Sequence, residues 1–137
     1  MFLKSQVSVE YMLVMGFVAV MTIPLIILYY DYVSGSNDEI VTSQLNQMAT
    51  KIVDSAESVY SFGEPSQTAL KVRIPAQVVG ASLDNKEVVF NVSIKGGGTT
   101  QVVQISYINF TGKLPVNQGI YTLTLRASGK NVDISYR

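Results

Sequence analysis

Glu10 is the only charged residue between Lys4 and Asp31. Other chemistry is scarce. Histidine and cysteine are both absent, which excludes Ser-His and Cys-His catalysis, the usual zinc ligand sets, disulfides and a lipidated cysteine. Beyond Phe62 the carboxylates are Glu64, Asp84, Glu87 and Asp133, and none forms a close pair in sequence. The Gly96-Gly97-Gly98 run lacks the Lys-Ser/Thr ending of a phosphate loop and reads as a flexible hairpin. No catalytic, cofactor or metal site is expected, and the chain does not read as an enzyme. For Glu10 two readings stand. It is an interfacial acid favoured at a helix N-terminus, or it is the partner of an amine.

The element that must position Glu10 is the run from Tyr11 to Tyr30, which is apolar on every face. As a helix it is about long enough to cross a bilayer and needs lipid or protein around it. Lys4 precedes it and Asp31, Asp38 and Glu39 follow, so the positive-inside rule puts residues 1–5 in the cytoplasm and the remainder outside. Tyr29, Tyr30 and Tyr32 mark the outer boundary, where amphipathic rings favour the headgroup layer. Pro24 is tolerable inside such a helix because neighbours re-satisfy the freed backbone groups. A cleaved secretory signal, with a small-residue site near Val33-Ser34-Gly35-Ser36, is the competing reading.

The segment Lys4-Ser5-Gln6-Val7-Ser8-Val9-Glu10-Tyr11 and its apolar continuation resemble an archaeal type IV pilin with a class III signal peptide. In that family a short basic leader precedes Gln-x-Ser-x-Glu-Tyr/Phe. Here Gln6, Ser8, Glu10 and Tyr11 match the fixed positions, and Lys4 matches the basic residue. Ser5 departs from the usual Gly before the cut. The resemblance covers residues 4 to about 30 and implies cleavage by a prepilin peptidase between Ser5 and Gln6. Gln6 would then carry a free amine, with Glu10 four residues on. A Glu10 buried among bundled helices would need such an amine, its own or a neighbour's. The resemblance further implies a homo-oligomer in a helical filament, an assembly ATPase and a membrane platform protein.

The zero net charge of the 137-residue chain hides an asymmetry. Asp31, Asp38, Glu39, Asp54 and Glu57 face only Lys51 in residues 31–62, whereas eight bases outnumber four acids in residues 63–137. Two solvated surfaces explain this, as does packing of basic heads on acidic stems of neighbours. The bases are spread along strands without a dense run, so no nucleic-acid partner is expected.

Val41, Leu45, Met48, Ile52, Ala56 and Val59 form a helical stripe, widened by Ile40, Ala49, Val53 and Tyr60. Ser36 and Glu39 fit a capping box for a new helix, but pilin stems favour one continuous helix. Gly63 and Pro65 read as its stop. Beyond Thr68 the period becomes two. The inward sets are Leu70/Val72/Ile74, Val88/Phe90/Val92/Ile94, Val103/Ile105/Tyr107, Tyr121/Leu123/Leu125 and Val132/Ile134/Tyr136. A short strand over Val78–Leu83 is of uncertain register. One antiparallel sheet is expected, covered on one side by the stem. The segment from Asn109 to Pro115, with Gly119-Ile120-Tyr121, also resembles heads of this pilin family.

Asn91-Val92-Ser93 and Asn109-Phe110-Thr111 are N-glycosylation acceptors, with Asn91 on the wet face. The expected fold is α+β, a lollipop with a long N-terminal helix and a small antiparallel β head. Residues 1–5 are the cleaved leader, 6–33 the membrane and filament-core helix, 34–62 the amphipathic stem and 63–137 the head. The expected function is a structural pilin of an adhesive archaeal surface filament. The subunit would sit in the cell membrane before assembly and outside the cell afterwards. The alternatives are an anchored extracellular binding domain that never polymerises, and a minor pilin or pseudopilin.

Overall fold

The computed structural model describes the backbone of residues 2–137 and the side chains of residues 7–137. Helix α1 (Phe2–Phe62) is followed by seven strands: β1 (Gln67–Ile74), β2 (Val78–Asp84), β3 (Glu87–Ile94), β4 (Gly98–Ile105), β5 (Asn109–Gly112), β6 (Gly119–Ser128) and β7 (Asn131–Tyr136). The fold is α+β, one long N-terminal helix and then a small, mostly antiparallel β region. Two compact units divide it, Met1–Asn37 and Asp38–Arg137, so the second half of α1 belongs with the strands.

Helix α1 runs without interruption through Ser34–Asn37, and no new helix starts at Ser36. The Ser34 hydroxyl bonds back to the Tyr30 carbonyl at 2.7 Å, and Thr42 does the same to Asp38 at 2.8 Å. Such back-bonds place short polar side chains within a helix without leaving a donor unpaired. The helix stops where expected. Gly63 adopts φ 72° and its N–H bonds the Tyr60 carbonyl at 3.0 Å, a left-handed residue closing the final turn.

In the C-terminal unit the strands form two sheets rather than one. Their orders are β1-β6-β7-β5 and β2-β3-β4. Most pairs are antiparallel, but β5 pairs with β7 in parallel. Alternation reveals which face of a strand is buried, not which strand lies beside it, so the division into sheets was not readable. The parallel pair depends on Gly112. Its φ is 110°, and a Cβ there would lie 2.0 Å from the Ile134 carbonyl oxygen. No side chain fits that approach. Strand β2 carries a register shift between Val78 and Gly80, where the sequence left its pairing open.

A single core joins the helix stripe to both sheets. Leu45, Ala49, Ile52 and Ala56 of α1 pack with Val88, Phe90 and Val92 of β3, Leu123 and Leu125 of β6, and Val132 and Ile134 of β7. The expected stripe is present except at Ile40, which is 53% exposed.

Strand β4 is inverted relative to the sequence reading. Val103, Ile105 and Tyr107 are exposed, while Val102, Ser106 and Ile108 face the core. Two adjacent valines permit either register, and pairing of Phe90 with Val102 fixes the observed one. A serine is tolerated inside because its hydroxyl donates to Glu57 Oε1 at 2.6 Å. Tyr136, expected inside on β7, is 45% exposed and stacks edge-on against Tyr121, with ring centroids 5.7 Å apart.

Candidate functional site

Ser8, Glu10 and Tyr11 of the expected signal motif lie on α1, all exposed. The side chains of Lys4, Ser5 and Gln6, including both sides of the expected cut, lie outside the described residues. The helix that follows contains a segment apolar and long enough to cross a membrane, with mean hydropathy 2.4 and none of that window buried. At 1.5 Å per residue, Tyr11 to Tyr30 spans about 30 Å, the thickness of a bilayer's hydrocarbon core. Glu10 therefore falls at the edge of that span, where a carboxylate avoids most of the ~2.5–3.5 kcal/mol cost of a mid-bilayer charge.

Fully burying one large aliphatic or aromatic side chain contributes about 1.5–3 kcal/mol. Val7 through Tyr32 expose such side chains on all sides of the helix. Their burial is worth on the order of tens of kcal/mol, which is consistent with a membrane-anchoring segment. Gly16 has open space where a Cβ would project. Around it Val9, Met12, Leu13, Phe17 and Val20 frame a shallow apolar groove. At the far end Tyr29 and Tyr30 meet edge-on, with ring centroids 6.3 Å apart.

Several carboxylates of the C-terminal unit bond groups within it. Asp38 Oδ2 accepts the Lys95 backbone N–H at 3.1 Å, beside the glycine-rich β3–β4 turn. Glu64 Oε1 accepts the Gly129 N–H at 2.5 Å, and Asp133 Oδ1 accepts the Thr111 hydroxyl at 3.2 Å. Among the described residues no three acids gather in a way that could hold a metal ion. The sequence had counted Asp38 and Glu57 only as part of an acidic stem. Their partners lie 57 and 49 residues away, and no local signal marks them.

The two sequons differ in setting. Asn109 is exposed at the start of β5. Asn91 lies on the outer side of central strand β3 but is half-buried, and its Oδ1 is buried without a hydrogen-bond partner. Its Nδ2 lies 3.1 Å from the place a Gly80 Cβ would occupy, so its amide is packed against β2.

A feature absent from the sequence reading is an open cleft of about 550 Å³ between α1 and β1. Gln44, Gln47 and Lys51 line it from the helix, and Lys71 and Arg73 from the strand. Gln77 and Gln118 also line it, and no carboxylate is among its lining residues. Its signal was too dispersed to read, because the contributing segments are up to 74 residues apart, from Gln44 to Gln118.

Comparison with known protein families, with curated proteins and with solved structures finds no match to this chain.

Proposed function

We propose that this chain is the structural subunit of an archaeal type IV pilus-like surface filament with an adhesive role. One observation carries the reading. The Gln6-x-Ser8-x-Glu10-Tyr11 motif stands at the start of an uninterrupted helix whose membrane-length apolar segment is wholly uncovered. In the proposed sequence of events, lipid first covers that surface. A prepilin peptidase then cuts between Ser5 and Gln6. The helix leaves lipid for a bundle of identical helices, exchanging one apolar surrounding for another, so the transfer avoids exposure to water. Gly16 permits close approach of a neighbouring helix. Once lipid and water are excluded, Glu10 needs a cationic partner, and the new Gln6 amine is the one that cleavage creates. An ATPase and a membrane platform protein would drive extrusion.

Shearing surface filaments from cells and measuring their composition tests this. The chain should dominate the filament protein. Its absence from filaments would refute the reading, and its presence in trace amounts would move it to a minor pilin.

A second reading, a permanently anchored binding domain, has the acid-free cleft beside β1 in its favour. On that reading residues 1–5 stay attached and no filament forms.

A further inference from the structure

We propose that the cleft between α1 and β1 binds an acidic saccharide, a chain bearing both carboxylate and hydroxyl groups. The inference rests on the adhesive part of the filament reading and names the ligand class that adhesion would use.

Charge is the first argument. Lys51, Lys71 and Arg73 all line one cleft, with no acid among its lining residues. Asp54, three residues from Lys51, lines a separate groove with Ser55 and Ser58. Three like charges around one concavity repel one another, and a bound anion relieves that repulsion.

The second argument is the polar complement. Four glutamines line the same cleft, each with an acceptor oxygen and two donor hydrogens. Cations suffice for an acidic peptide or a free phosphate. Paired donors and acceptors suit sugar hydroxyls, which both give and accept hydrogen bonds. Met48, Leu70 and Pro75 add aliphatic lining, which suits the C–H groups of a sugar ring.

Geometry supplies the third. The volume of about 550 Å³ suits a small ligand. Strand β1 ends its sheet, so its outer backbone edge is not laddered. Four consecutive residues, Leu70 to Arg73, line the cleft, as they do where a backbone edge forms the wall. That edge adds backbone donors and acceptors to the side chains.

The test is calorimetric titration of the full chain, solubilised in a non-ionic detergent, with trigalacturonate. Saturable one-to-one binding is expected, weakening as salt is raised. Loss of a charge-assisted contact should cost about tenfold or more in Arg73→Gln and in Lys71→Gln. Both residues are exposed, and unchanged circular dichroism would show the variants folded. Neutral maltotriose should bind about tenfold or more weakly, since it lacks the charge. The proposal is overturned by absence of saturable binding, by equal affinity for maltotriose, or by unaltered affinity in both variants. Tighter binding of a peptide spanning Asp31–Glu39 than of trigalacturonate would also overturn it and assign the cleft to a neighbouring stem. This titration reads the isolated subunit, so it stands or falls independently of whether filaments form.

Discussion

The hydroxyl of Ser106 donates to Glu57 Oε1 at 2.6 Å, joining the last turns of α1 to the segment that leaves β4. Ser106 Oγ in turn accepts the Ile108 N–H at 3.3 Å. Two residues 49 apart thereby settle which face of the chain after β4 turns inward. Next to them Tyr60 and Tyr107 meet edge-on, with ring centroids 6.3 Å apart. Glu57→Ala leaves the buried hydroxyl without its acceptor, and a loss of about 1–3 kcal/mol is expected. Glu57→Gln keeps an acceptor and should lose less. Denaturant unfolding of the detergent-solubilised chain, followed by circular dichroism, measures both. Equal stability of Glu57→Ala and the parent would show that this contact adds nothing.

Gly112 is the tightest backbone approach among the glycines. Gly112→Ala meets both the positive φ and the Ile134 carbonyl, so a loss of several kcal/mol is expected. The damage should concentrate where β5 lies against β7. Hydrogen exchange should show faster exchange in 109–112 and 131–136 while β3 keeps its protection. Unchanged exchange would contradict the parallel pairing.

Glu10→Ala should leave membrane insertion and cleavage largely intact while abolishing filament assembly. Insertion depends on the apolar run, whereas assembly on this account needs the carboxylate to meet an amine. Fractionation with peptide mapping follows the first two steps, and electron microscopy of sheared material follows the third. Normal filaments from this variant would remove the pairing role of Glu10 and leave the pilin reading standing.

Of the two sequons, Asn109 is expected to carry the glycan and Asn91 to stay bare. Asn109 is exposed, whereas the Asn91 amide packs against Gly80. Glycopeptide mapping of protein from native membranes decides between them. A glycan on Asn91 with a bare Asn109 would contradict the accessibility argument.

Much of the fold was legible because its signals are local. The all-round apolar run, the 3-and-4 spacing from Val41 to Val59 and the Gly63 stop each depend on residues close in sequence. Strands β1, β3 and β6 bury most of the residues that alternation assigned to the core, with Leu70, Ile94 and Tyr121 half-buried. What failed was non-local. The inward face of β4 was misassigned because Val102 and Val103 offer two equivalent registers, and pairing with β3 chose between them. Parallel β5 was hidden because its four residues, Asn109–Gly112, are too few for a period to emerge. Its place is fixed by Gly112 meeting Ile134, 22 residues on. The Gln6–Tyr11 string is contiguous and can be read as residues. The cleft beside β1 was not legible, because it assembles helix, strand and loop residues that only folding brings together.

The most direct measurement is the N-terminal peptide of the native protein recovered from the cell surface. Proteolytic mapping by mass spectrometry should find a mature chain that begins at Gln6, in material sheared from cells as filaments. Recovery of Met1 to Ser5 still joined to Gln6 in that material would contradict the account.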